Sequence, residues 1–192
     1  MRQIKYIFVH CTAGPQTQSI AVIQNYWKTH NKWKNPGYHY IIKADGEIVQ
    51  LLDESKISNG VANYNSNSIN VCYIGGVDKA GKPLDNRTDA QKASLIKILT
   101  ELKSRYPDAK IMGHREIWGP DSKKWKKWCP CFNASEEYKN IGVKVEVKEP
   151  KKEVITPPTI ARPEPTKPVI DSKKKKSWLV EKLEKVFNWG DA

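Results

Sequence analysis

Ile4-Lys5-Tyr6-Ile7-Phe8-Val9-His10 opens the chain with an apolar run that ends on a histidine, and Cys11-Thr12-Ala13-Gly14 follows it. Short apolar runs of this kind, rich in β-branched and aromatic residues, read as buried strands. Open α/β sheets place their sites at strand ends, and the small residues after His10 leave room there for a ligand. The pattern returns in Lys110–His114, a second short strand that ends in a histidine after Gly113. Between them, Ser19–Lys34 carries Ile20, Ile23, Tyr26 and Trp27 at helical spacing until Pro36-Gly37 stops it. Tyr38–Lys43 and Glu47–Leu52 read as two strands joined at Asp45-Gly46, a hairpin signal. Ile69–Ile74 is another apolar strand, closed by Gly75-Gly76. Thr88-Asp89-Ala90-Gln91 has the capping-box pattern ahead of Leu95, Ile96, Leu99 and Leu102, which predicts a helix over 89–105. A short helix into Lys139 starts from a cap at Asn133 or Ser135. Strands interleaved with helices, plus one hairpin, predict an α/β fold: one domain with a mixed central β-sheet flanked by helices.

That domain is expected to fill residues 1–142. After Gly142 the composition shifts, and six of the twelve prolines fall in the last fifty residues. Pro-rich, charged and poor in aromatics, 143–170 cannot bury enough apolar area to order itself and reads as an extended Pro/Lys-rich linker. From 171 to 192 the pattern changes again: Lys173-Lys174-Lys175-Lys176 precedes a segment in which Trp178, Leu179, Leu183, Val186, Phe187 and Trp189 sweep one arc at helical spacing. Ser177 is the N-cap and Gly190 the stop of this basic amphipathic helix. Two fates are open to it: packing back on a protein surface, or lying on an anionic membrane surface.

With 192 residues, 39% hydrophobic and 28% charged, the chain suits one domain and an appendage. No apolar stretch approaches the roughly 20 residues of a spanning helix. The start has no signal-peptide core or cleavage site, so synthesis in a cytosol without a secretory signal is expected. Four cysteines are too few for a small secreted disulfide scaffold, which turns attention to metal ligation. A net charge of +12 favours polyanionic partners. Nucleic acid is the weakest of these, since no groove-reading motif is present. A monomer is expected.

His10 and His114 at strand ends, with Cys129-Pro130-Cys131 in a loop after Trp125 and Trp128, supply two imidazoles and a thiolate. Such a set binds zinc tetrahedrally with one position left for water, the catalytic rather than the structural pattern. The competing reading is that each histidine satisfies a local hydrogen bond, and no spacing motif such as HExxH decides between them.

Phe8-Val9-His10-Cys11-Thr12-Ala13, Gly37-Tyr38-His39-Tyr40-Ile41-Ile42 with Asp45-Gly46, Asn67-Ser68-Ile69 leading to Ile74-Gly75-Gly76, Gly113-His114-Arg115-Glu116 and Cys129-Pro130-Cys131-Phe132 together resemble the zinc-dependent N-acetylmuramoyl-L-alanine amidases of the phage-lysozyme type. These share their fold with peptidoglycan recognition proteins. The resemblance spans about residues 4–140 and does not touch the tail. It implies Zn2+ held by His10, His114 and Cys129, a catalytic tyrosine at Tyr38 and a catalytic lysine at Lys127, with Lys123, Lys124 and Lys126 as rivals in the long segment Ile117–Trp128. It also places the ligand at Cys129 rather than Cys131, and the zinc cysteine favours catalysis over recognition alone. The implied reaction is cleavage of the amide between N-acetylmuramic acid and L-alanine of peptidoglycan, in the manner of an endolysin that accumulates in host cytoplasm and reaches the wall after membrane permeabilisation. A cytosolic amidase that recycles muropeptides and a non-catalytic peptidoglycan-binding module are the alternatives.

The remaining candidates carry plainer expectations. His39 faces away from Tyr38 and is structural or supports a ligand, and His30 sits on a helix surface. Cys11 and Cys72 are core thiols. Glu116 either orients a ligand histidine or is a solvated acid. Asn65 and Asn67 touch substrate or form turns. The loop tryptophans, Trp118, Trp125 and Trp128, either stack on sugar rings or pack under their own loop.

Overall fold

A computed structural model describes residues 2–143. The linker read over 143–170, apart from Val143, and the amphipathic helix read over 171–192 lie outside the described residues. Among the described residues no helix is long and apolar enough to cross a membrane.

The strands are β1 (Tyr6–Cys11), β2 (Tyr40–Ile42), β3 (Ile48–Gln50), β4 (Ser68–Tyr73) and β5 (Lys110–Gly113), and the helices are α1 (Ile20–Thr29), α2 (Asp89–Arg105) and α3 (Ala134–Glu137). They form one sheet in the order β3-β2-β4-β1-β5. Only β2 and β3, joined by the Asp45-Gly46 turn, run antiparallel. The mixed sheet flanked by helices is therefore the expected architecture.

Parallel strands covered on both faces must be apolar on both, which accounts for the unbroken runs of β1 and β4. On one face Ile7, Val9, Ile69, Val71 and Tyr73 pack against Leu95, Ile98, Leu99 and Leu102 of α2. On the other, Ile41, Cys72 and Ile74 meet Ile23 and Trp27 of α1. Each fully buried leucine of α2 contributes about 1.5–3 kcal/mol. Thr88 and Gln91 close the capping box at 3.0 and 3.1 Å. Ser19 caps α1, and α3 starts after Asn133, whose side chain makes no capping bond.

The element ends differ from the sequence pattern for local reasons. The β2–β3 ladder closes early because the amides of Leu51 and Leu52 both converge on the His39 carbonyl, at 2.8 and 3.3 Å. This leaves Tyr38 and His39 ahead of β2. β5 stops at Gly113 because His114 begins a 3-10 turn, His114–Trp118. The parallel register pairs Val9 with Gly113, so His10 and His114 emerge side by side from neighbouring strands.

Arg87, almost fully buried, holds the segment after the site in place. Its guanidinium lies 3.3 Å over the Phe132 ring and donates to Asp85, Glu137 and the Tyr138 hydroxyl at 2.8–2.9 Å.

Candidate functional site

The two strand-end histidines are buried, with ring centroids 4.9 Å apart. A third group comes from 15 residues downstream of His114, and the path of that loop decides whether it arrives. The chain leaves β5 through the His114–Trp118 turn, runs through a second 3-10 turn at Ser122–Lys124, and folds back so that the Arg115 amide donates to the Cys129 carbonyl at 2.8 Å. Arg115 is the spine of this loop: its guanidinium lies 4.3 Å from the Trp125 ring and donates to Asn133 Oδ1 at 2.7 Å. Cys129 Sγ then lies 3.6 Å from His10 Nδ1, with the Cys11 amide donating to the sulfur at 3.2 Å.

His10, His114 and Cys129 offer one ligand atom each, all within 4.8 Å of one another. Among the described residues theirs is the single His, Cys, Asp and Glu cluster able to hold a metal ion. Two imidazoles and a sulfur suit a borderline-soft divalent cation. Burial, followed by the neighbouring His114, pushes the His10 imidazole well below its ordinary value. Burial, then the charge of Lys127, brings His114 down to about 4. Both rings are neutral at pH 7 and offer lone pairs.

His114 and Cys129 of this cluster line a cleft of about 920 Å³. Tyr38 lines it, with its ring centroid 4.9 Å from that of His10 and an edge-on contact to Trp27. Burial, then the cysteine thiols around it, raises the Tyr38 phenol, so it stays a proton-bearing donor. Of the four lysines that compete in sequence, Lys126 and Lys127 line the cleft, and Lys127 is the one whose charge reaches both imidazoles. Trp118 stacks on His114 at 5.5 Å and lines the cleft with the exposed Trp128, whereas Trp125 carries Arg115.

Several candidates have other work. The Glu116 carboxylate accepts from the Ser135 amide and meets neither histidine. Asn65 accepts from the Val61 amide within the Asn65–Asn67 turn. Cys11 is buried on the α2 face with its sulfur 3.9 Å from that of Cys131, and Cys72 is a buried thiol of the α1 face. His39 is wholly buried against Ser58, Lys56 and the Asn70 amide. Asn70, which bonds His10, and Arg115, which folds the loop, escaped the sequence reading. The signal for Asn70 was there: an amide inside the apolar run Ile69–Ile74 must be buried, and buried amides are partnered.

Residues 1–132 match the family model described as N-acetylmuramoyl-L-alanine amidase. The chain is 36% identical over 133 residues to an endolysin of Klebsiella phage KP32, covering 69% of this chain and 83% of that one. Among solved structures it resembles the endolysin of Thermus scotoductus bacteriophage Ph2119, with a TM-score of 0.58, 26% identity and coverage of 73% and 85%. Drosophila PGRP-LB shares the fold at a TM-score of 0.57 and 16% identity, over 78% and 88% of the two chains. A family match across both histidine strands and the returning cysteine loop covers every element that builds the cleft, and this chain therefore belongs to the N-acetylmuramoyl-L-alanine amidase family.

Proposed function

We propose that the chain is a zinc-dependent, endolysin-type peptidoglycan hydrolase, in which His10, His114 and Cys129 hold the metal and Tyr38 and Lys127 act on the scissile amide. The observation that carries this is the His10–Cys129 separation. Zinc bonds of about 2.0–2.3 Å in tetrahedral array set neighbouring donor atoms roughly 3.3–3.7 Å apart, and Nδ1 to Sγ is 3.6 Å. The donor set also leaves one coordination position open, as a hydrolytic site requires.

When bound, zinc supplies Lewis acidity to the lactyl carbonyl and lowers the pKa of the attacking water to about 7. The chain's own groups handle the rest. As water adds to the carbonyl carbon, negative charge grows on its oxygen, and the Tyr38 O–H and the Lys127 ammonium are the cleft donors that stabilise it. The C–N bond then breaks as the alanine nitrogen takes a proton from Tyr38 Oη, and Tyr38 regains one from the water that has added, so the products are a carboxylic acid and a free amine. At about 920 Å³ and lined by Trp27, Trp33, Trp118 and Trp128, the cleft suits a glycan–peptide rather than a small amide.

The relatives named endolysin support action on intact wall rather than on recycled fragments. The test uses His10→Ala, His114→Ala and Cys129→Ala. Each is expected to lose bound zinc and to release no new alanine amino termini from purified sacculi, and wild type is expected to hold one zinc and lose activity to a chelator. Full hydrolysis by a zinc-free Cys129→Ala protein would refute the proposal.

A further inference from the structure

Asn70 interrupts the apolar run of β4. It is wholly buried, paired with Phe8 in the register, and its Oδ1 lies 2.8 Å from His10 Nε2. Gly60 crowds it so closely that a Cβ there would fall 2.3 Å from Oδ1, so the carboxamide is packed in place.

The direction of the His39 hydrogen bonds follows from groups whose role is fixed. The Lys56 carbonyl can only accept, and it lies 3.0 Å from His39 Nε2, so that nitrogen bears the proton. The Asn70 backbone N–H can only donate, and it lies 3.0 Å from His39 Nδ1, so that nitrogen bears the lone pair. Both ends demand the same His39 tautomer. Arg2 Nη1, at 3.4 Å from Nε2, is a rival donor already engaged by the carbonyls of Glu54 and Lys56.

Ser58 Oγ sits 3.2 Å from His39 Nδ1 and 2.8 Å from Asn70 Nδ2. Since Nδ1 bears no proton, Ser58 meets it only as a second donor sharing that lone pair with the Asn70 amide, and the lone pairs of Ser58 Oγ then receive one amide hydrogen of Asn70. Ser68 Oγ, at 3.3 Å, receives the other. The carboxamide NH2 is thereby spent on two serines, and Oδ1 is left to accept from His10 Nε2–H. The lone pair of His10 then lies on Nδ1, the atom that faces Cys129 Sγ at 3.6 Å.

We infer that Asn70 is a positioning residue that fixes His10 as the Nε2–H tautomer and presents its Nδ1 lone pair to the metal, with Ser58, Ser68 and His39 orienting the carboxamide. The metal half of this inference rests on the zinc reading above; the tautomer half does not. Outer partners of ligand histidines are generally worth about 10–100-fold in metal affinity. A carboxamide does this without adding charge to the centre.

The experiment reads the proton directly. Full-length, chelator-stripped protein labelled with 15N-histidine is examined by long-range 1H–15N correlation at pH 8, with His10 identified by loss of its signals in His10→Gln. The Nε2–H pattern is expected. In a zinc-competition titration, near-isosteric Asn70→Leu should bind about 10–100-fold more weakly, and Asn70→Asp, which keeps an acceptor, should return to within a few-fold of wild type. An Nδ1–H pattern in wild type, or Asn70→Leu affinity within twofold of wild type, overturns the inference. Should Asn70→Leu fail to fold, the wild-type spectrum decides alone. A wild-type protein with the Nε2–H pattern that takes up no zinc refutes the zinc reading and supports the tautomer assignment.

Discussion

Acidifying the metal-free protein should unload stability through the two histidines before the carboxylates respond. His114 has a folded value of about 4 against its ordinary 6.5, because protonation would place a charge in a buried site facing Lys127. Between those values the unfolded chain binds the proton and the folded one does not, so stability rises with pH across the window and is lost as pH falls through it. For this shift the loss between pH 7.5 and pH 5 is about 2 kcal/mol from His114 alone. His10 shifts in the same direction and adds to it. Against a total of roughly 5–15 kcal/mol for a domain, that is a large fraction. The depressed carboxyls of Asp45, Asp53, Glu54 and Asp85 lose their contributions only at lower pH, which separates the two sets. Urea unfolding of chelator-treated protein at pH 7.5 and 5, for wild type and His114→Gln, isolates the contribution. The variant should lose about 2 kcal/mol less than wild type over that interval. Equal losses in the two proteins would refute the assignment of a buried, neutral His114.

Four substitutions check the site and the segment that follows it. Tyr38→Phe removes one hydroxyl donor and should lower the rate of alanine-terminus release from sacculi about 10²–10³-fold, with zinc content unchanged. Lys127→Ala should fall comparably while Lys123→Ala, whose lysine sits in the Ser122–Lys124 turn away from the cleft, stays within about twofold. Arg87→Met strands Asp85, Glu137 and the Tyr138 hydroxyl. Because Asp85 and Glu137 are 32% and 40% exposed, water offsets part of the loss. About 3 kcal/mol is expected, a fall in Tm on the order of 10 °C by differential scanning calorimetry, and a change under 2 °C would contradict the role given to Arg87.

Local chemistry sufficed for the elements whose signals are short-ranged. The capping box at Thr88 and Gln91 sets the start of α2, and alternation between apolar runs and turn residues locates all five strands. Strand ends were less legible, because they depend on partners distant in sequence. β2 begins at Tyr40 rather than Tyr38 because two amides from the far side of the hairpin share the His39 carbonyl. The role of Glu116 was undecidable for the same reason: its partner, the Ser135 amide, is 19 residues away.

Residue type and order fixed the inventory of the site, two imidazoles after apolar strands and a thiol after a tryptophan-rich loop, since ligand chemistry belongs to the side chain itself. Their convergence belongs to the fold. Parallel pairing of Val9 with Gly113 sets His10 beside His114, and Arg115, wedged between Trp125 and Asn133, returns Cys129 to them. The same holds for Asn70, whose partner His10 is 60 residues away in sequence and 2.8 Å away in space. A hydrogen bond reaches only about 3 Å, so which groups share one is settled by strand register and packing rather than by any spacing along the chain.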